Sequence, residues 1–202
     1  DLRQGDQYSA RFEAYVAGSG ETDALARRLQ GQADAQYEAI RRQYTQLPEH
    51  LEPGGIIEQL AREVAGSIYD PYQQGLALMN YLKRSYRYSL DVPDAPATLD
   101  FASHFLFDVK EGYCTYFATA MTVLARSLNL PARYIEGFLA DPKGAESVTL
   151  TARNAHAWTE IYIAGLGWVT FDATASEGGE GEGEGQGETP PDPAPPSPTP
   201  AP

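Results

Sequence analysis

Hydrophobic positions along this chain keep two periods. Between Thr22 and Leu128 they recur every three or four residues, the spacing of a helix face; between Ala132 and Thr174 they alternate, the spacing of a strand. Thr22 is placed to cap a helix running to about Gln46, with Leu25, Leu29, Tyr37, Ile40 and Tyr44 as its apolar stripe and Leu47-Pro48 as its stop. After the Pro53-Gly-Gly55 break, Ile56, Ile57, Leu60 and Val64 predict a short helix ending near Gly66. Asp70-Pro71 reads as the cap and first turn of a third, with Leu76, Met79 and Leu82 facing inward. Upstream of all of these, Gln7 to Val16 alternates, with Tyr8, Ala10, Phe12, Ala14 and Val16 on one side, and predicts a strand or extended arm.

Tyr86 to Leu90 is expected as a short extended piece. The loop after it, Asp91 to Pro96, carries two prolines that forbid a central strand. Asp100 is placed to cap a brief helix through Phe105 and Phe107. That helix delivers the chain to Gly112 and to the sole cysteine, Cys114. From Phe117 onward the positions Phe117, Met121, Leu124, Ala125 and Leu128 predict a helix whose one face is buried while Cys114 sits at its N-terminal end. A thiol there feels the positive end of the helix dipole and unpaired backbone N–H groups, both of which favour thiolate. Leu130-Pro131 ends that helix, with Asn129 suited to a left-handed cap.

Ala132 to Leu139 and Ser147 to Thr151 predict two strands around an Asp-Pro-Lys-Gly turn. Asn154 to Ile163 and Gly167 to Thr174 predict two more, joined through Gly-Leu-Gly. In the last pair the small or apolar residues Ala157, Ile161, Ile163, Val169, Phe171 and Ala173 are all odd-numbered. If these enter one core, His156, Trp158, Glu160, Tyr162, Trp168, Thr170 and Asp172 share the other face. His156 and Asp172 are then same-face neighbours. The parity also demands an even-sum register, such as Trp158 opposite Asp172, and hence an odd-length turn or a bulge between the strands. Four antiparallel strands with the cysteine helix packed on them make an α+β domain.

The segments Glu111-Gly-Tyr-Cys114, Leu130-Pro-Ala-Arg-Tyr-Ile-Glu-Gly137, Ala155-His-Ala-Trp158 and Gly167-Trp-Val-Thr-Phe-Asp172 resemble, in order, the Cys, His and Asp blocks of the transglutaminase-like superfamily. The likeness covers about residues 70–175 and is nearest to bacterial membrane-anchored proteins with an extracytoplasmic domain of this kind. Two departures stand out: Ala173 replaces the proline that usually follows the Asp, and Arg153-Asn154 has no assigned counterpart. Neither removes a catalytic side chain. The resemblance implies a papain-like core with Cys114 as nucleophile, His156 as base and Asp172 as its orienting carboxylate, working without a cofactor. The Cys114 N–H is the natural first oxyanion donor. Tyr88 and Asn154 are candidates for the second, and Tyr113 and Trp158 are cleft candidates. The implied reaction is thioester formation with a protein or peptide carboxamide, completed by an amine (transamidation) or by water (a peptidase or amidase). An inactive domain kept as a binding module stays open at this point.

Composition narrows the classes further. The net charge of −13 includes six acids and no base in residues 176–202, leaving 22 acids against 15 bases, a balance of −7, before them; nucleic acid is not an expected partner. One cysteine excludes an internal disulfide, and one Cys with scattered histidines lacks the paired spacing of a zinc site; calcium spacing is lacking too. His104 is expected to line the core or the cleft edge, and His50 to sit in a loop. No run of 18 apolar residues and no leader pattern occurs, so the chain as it stands is expected to be soluble. Residues 1–69 read as an arm and helical region, 70–175 as the catalytic core, and 176–202 as a spacer: a Gly/Glu repeat, then a stretch with eight prolines. The resemblance implies that the spacer leads to a membrane helix, with the domain on the extracytoplasmic side.

Overall fold

The computed structural model describes residues 14–31, 35–51, 53–92, 100–140 and 148–175. Most of the predicted N-terminal arm, the Pro93–Pro96 loop, the Asp-Pro-Lys-Gly turn, Ser147 and the 176–202 spacer lie outside them.

A strand of two residues, β1 (Tyr15–Val16), leads into α1 (Gly20–Leu29). The cap of α1 is Ser19 rather than Thr22: the Ser19 side chain accepts the Thr22 N–H at 3.3 Å, and Thr22 is buried in the first turn. The long helix expected through Gln46 is two helices. α1 stops at Leu29, Gly31 turns with φ +76°, and α2 (Tyr37–Tyr44) restarts beyond it. A residue without a Cβ enters the left-handed region at no steric cost, so the apolar stripe continues on two separate rods. In α3 (Ile56–Ala65) the buried residues are Ile57, Ala61 and Ala65, while Ile56 points to solvent. α4 (Pro71–Ser85) has Asp70 as its cap, whose side chain accepts the Gln73 N–H, and buries Tyr72, Gly75, Leu78, Met79 and Leu82.

The next segment prepares the cysteine. β2 (Arg87–Tyr88) pairs in parallel with β3 (Glu111–Gly112), Tyr88 opposite Gly112. Between them Asp100 caps α5 (Phe101–Ser103), which loosens into a π-helical turn over His104–Val109 and ends at Lys110 in the left-handed region. The wider turn seats Phe105 and Leu106 in the core, and the Tyr86 hydroxyl donates to the Leu106 carbonyl at 3.1 Å. His104 is buried, 3.1 Å from Asp108 through Nδ1. α6 (Cys114–Ser127) follows directly and buries Phe117, Met121, Leu124 and Ala125 on the face its spacing predicts; large side chains of this kind contribute about 1.5–3 kcal/mol each. Asn129 closes it at φ +63°.

The main sheet has four strands in the order β1-β6-β5-β4, where β4 is Ala132–Phe138, β5 is Ala155–Ile163 and β6 is Gly167–Phe171. The three long strands are antiparallel. The fourth is not the predicted Ser147–Thr151 segment, whose described residues 148–151 lie outside the sheet; it is β1, which adds to β6 in parallel, Tyr15 opposite Val169. The sheet is therefore mixed. β5 and β6 pair as Thr159 with Phe171 and Ile161 with Val169, an even-sum register closed by the three-residue turn Ala164-Gly-Leu166.

α6 lies on the odd-numbered face of β5. Thr159 Oγ1 reaches the Ala118 carbonyl at 2.9 Å and Thr122 Oγ1 at 3.0 Å, so the helix and the strand advance together. The opposite face is covered in part by α2: Tyr44 and Tyr162 stack edge-on against Trp168, and the Arg133 guanidinium lies 4.1 Å from that indole centroid. Trp168 thus belongs to the outer packing of the sheet.

Candidate active site

Cys114 opens α6 without a side-chain cap; the Tyr113 carbonyl before it accepts the Tyr116 and Phe117 N–H groups. The sulfur is therefore at the positive helix end, half-buried. What holds it there is the aromatic packing around Phe101, Phe105, Tyr113, Tyr116 and Phe117, with ring centroids 4.4–5.7 Å apart. Tyr116 lies so close to Gly112 that a Cβ there would come within 2.6 Å of its ring, so only glycine lets the chain pass.

The imidazole of His156, at the start of β5, is in hydrogen-bonding contact with the Cys114 thiol on one side and with Asp172 on the other, Nε2 to Oδ2 at 2.9 Å. That leaves Nδ1 as the ring nitrogen for the sulfur. The second Asp172 oxygen accepts the Thr174 N–H at 3.0 Å, which fixes the carboxylate. The electrostatics follow from these contacts. Asp172 first and Cys114 second raise His156 from an ordinary 6.5 to about 9, against the opposing effect of burial. Burial pushes the Cys114 thiol up, but the His156 imidazole and the Ala157 N–H outweigh it, and the thiol ends below its usual value. Burial likewise raises Asp172, and His156 and the Thr174 N–H bring it below the usual carboxylate value. Each of these contacts favours the thiolate–imidazolium form of the pair over the neutral one.

The remaining sequence candidates fall at different places. Trp158 stacks on His156, centroids 6.2 Å apart at 21°, and its indole rests on Gly137 across the β4–β5 ladder. Tyr113 packs on Tyr116 at the helix cap. Tyr88 is held beside Gly112, two residues from Cys114. Asn154 shapes the 3₁₀ turn that feeds β5, its carboxamide oxygen accepting the Thr151 N–H at 2.9 Å. His50 is exposed and paired with Asp100 at 2.9 Å, and with His104 bonded to Asp108 neither histidine belongs to the cysteine site. Among the described residues no cluster of three or more His, Cys, Asp or Glu is arranged to hold a metal, and no helix is long and apolar enough to cross a membrane.

Two neighbours of the sulfur, and a carboxylate bonded to one of them, escaped the sequence reading. Ala157 presents its N–H to the sulfur; Tyr134 lies beside Cys114 and in hydrogen-bonding contact with the Thr115 hydroxyl; Glu136 accepts the Tyr134 hydroxyl at 2.7 Å. Burial and that carboxylate raise the Tyr134 phenol to about 12. β4 pairs with β5 in an odd-sum register, Tyr134 opposite Thr159 and Glu136 opposite Ala157, which sets both side chains on the helix side of the sheet.

The arrangement agrees with what the chain is similar to. Residues 58–173, more than half of it, match the transglutaminase-like superfamily. An uncharacterised Bacillus subtilis protein, YebA, is 33% identical over 139 residues, covering 65% of this chain and 19% of that protein. A Pseudomonas aeruginosa protein-glutamine gamma-glutamyltransferase is 31% identical over 137 residues, covering 64% of this chain and 19% of its own length. This chain thus spans about a fifth of either relative. Among solved structures, the periplasmic domain of TgpA from Pseudomonas aeruginosa superposes with a TM-score of 0.57 at 29% identity, over 70% of this chain and 48% of that one. With the α+β core and the site described above, these matches establish that the chain belongs to the transglutaminase-like superfamily.

Proposed function

We propose that this domain is a thiol acyltransferase of transglutaminase type, with Cys114 as nucleophile, His156 as acid and base, and Asp172 as the group that orients and charges the imidazole. The observation that carries the reading is the unbroken series of contacts from sulfur to imidazole to carboxylate, with the thiol lowered and the histidine raised to about 9. The thiolate attacks a carboxamide carbon and forms the C–S bond. As the tetrahedral intermediate collapses, the C–N bond breaks and the His156 proton leaves with the nitrogen as ammonia. A primary amine then attacks the thioester, gives its proton to His156, and releases the thiolate. The developing oxyanion is met by the Cys114 N–H at the helix end, and Tyr88, held by β2 beside Gly112, is the candidate second donor.

The substrates in this reading are a protein or cell-envelope peptide as acyl donor and an amine as acceptor; the glutamyltransferase name of the Pseudomonas relative supports that choice. The periplasmic origin of the TgpA domain supports an extracytoplasmic location for a domain that a longer, membrane-anchored protein carries. The test is incubation with a glutamine-rich protein and a fluorescent primary amine, read by mass spectrometry. An isopeptide product in the native protein and none in Cys114→Ala supports the assignment. Deamidated or cleaved products alone would make the domain an amidase or peptidase, and unchanged incorporation by Cys114→Ala would reject the mechanism.

A further inference from the structure

Cys114 has two flanks of different chemistry. On one, the imidazole and Asp172 handle the proton. On the other, a chain of hydrogen bonds starts at the residue directly after the nucleophile: the Thr115 hydroxyl contacts the Tyr134 oxygen, and the Tyr134 hydroxyl donates to Glu136 Oε1 at 2.7 Å. Glu136 pairs across the ladder with Ala157, the residue whose N–H faces the sulfur, so the carboxylate is borne on the strand position next to the reacting atom. Tyr134 is half-buried and Glu136 exposed, which places a fixed negative group at the rim of the site and open to solvent.

A neutral carboxamide donor gains little from a carboxylate at this place. A primary amine does, because in water it is an ammonium, and an anion at the rim raises its local concentration and can bind it by a charge-assisted hydrogen bond. We infer that Tyr134 and Glu136 form the acceptor subsite of this domain, a cation site that selects a primary ammonium such as that of a lysine side chain. Tyr134 acts as the positioning residue, holding one carboxylate oxygen so that the other faces the incoming ammonium, which gives one proton to the solvent at this exposed site before its lone pair attacks the thioester and its second proton passes to His156. The inference rests on the acyl-transfer reading, and it is tested in two ways so that the two can fail separately.

The first measurement needs no substrate. Cys114 is modified with a cationic reagent, 2-aminoethyl methanethiosulfonate, and with the neutral methyl methanethiosulfonate, and the ratio of the two rates is taken. Glu136→Gln should lower that ratio roughly threefold or more, and Tyr134→Phe should lower it less, since the carboxylate remains but is no longer held. The second compares acceptors in the transamidation assay. Glu136→Gln should raise the KM for cadaverine roughly tenfold relative to that for hydroxylamine, which is uncharged at the assay pH. A reagent ratio and an acceptor preference that both ignore Glu136→Gln overturn the subsite. A ratio that falls in a protein that incorporates no amine leaves the cation site standing and overturns the acyl-transfer reading instead.

Discussion

Asp172 lies one residue beyond the last paired position of β6, yet its Oδ2 is 2.9 Å from His156 Nε2 on the neighbouring strand. The pairing of Thr159 with Phe171, continued by one step, sets Asp172 opposite Trp158 and diagonal to His156 on the same face. Such a diagonal is within reach of long side chains, so the ladder itself brings imidazole and carboxylate together. What the pairing does not need to supply is the cysteine, which arrives from the far side on a helix end.

Asp172→Asn should therefore separate charge from geometry. The amide keeps the shape but no longer favours imidazolium, so the His156 titration midpoint, read by NMR, should fall from about 9 toward 6.5, and turnover should drop by roughly 10²–10⁴-fold. The Cys114 thiol loses part of what stabilises its thiolate, so iodoacetamide labelling should require a higher pH in Asp172→Asn than in the native protein. Stability carries the same signature. Because the folded protein binds the His156 proton more tightly than the unfolded chain, this contribution is complete below about 6.5 and is lost as the pH rises through about 9. Urea unfolding across that window should show the native protein losing more than Asp172→Asn does; parallel curves would mean that Asp172 does not set the histidine charge.

Gly137→Ala tests the wall behind the histidine. A Cβ at that position would sit 2.7 Å from Trp158 Cη2 and 3.2 Å from Cζ3, and the Trp158 ring stacks on His156. The indole has to shift and the imidazole with it, at a cost of roughly 1–3 kcal/mol in urea unfolding and with a loss of Cys114 labelling rate at neutral pH. Trp158→Phe in the same chain removes the atoms that clash and should restore part of both. If labelling stays at the native rate in Gly137→Ala, the stack does not position the histidine.

How much of this could be read from the chain depends on how far each partner lies along it. His156 and Asp172 were readable as same-face neighbours because the apolar residues of both strands are all odd-numbered, and the three-residue turn Ala164-Gly-Leu166 closes the even-sum register that this parity demands. Cys114 was readable because the apolar spacing of α6 is regular and begins just after it. Tyr134 and Glu136 were not: β4 and β5 are joined through the long segment Leu139 to Asn154, so no turn length reveals that their register has the opposite parity. The same limit hid the parallel addition of Tyr15–Val16, two residues whose pattern names no partner, and the joining of Tyr88 to Gly112. Gly31 was passed over because the apolar stripe runs on regardless of a break in the rod.

The C-terminal end of α6 offers a test of whether the site depends on the whole helix or only on its first turns. Arg126 donates through Nε to the Ala132 carbonyl at 2.9 Å and through a terminal nitrogen to the Gln46 carbonyl at 2.8 Å, tying the helix to the start of β4 and to the chain leaving α2. Burial lowers its pKa, yet a guanidinium stays charged, and a cation in the last turn of a helix also meets the negative end of the dipole. Arg126→Met keeps the apolar stem and removes both bonds. It should lower stability by about 1.5–3 kcal/mol in urea unfolding. Cys114 lies three turns away and is held by its own aromatic packing and by the Thr159 to Ala118 bond, so below the unfolding transition its iodoacetamide labelling should keep the native pH dependence. A labelling rate that falls along with the unfolding midpoint would show instead that the helix transmits its C-terminal anchoring to the sulfur.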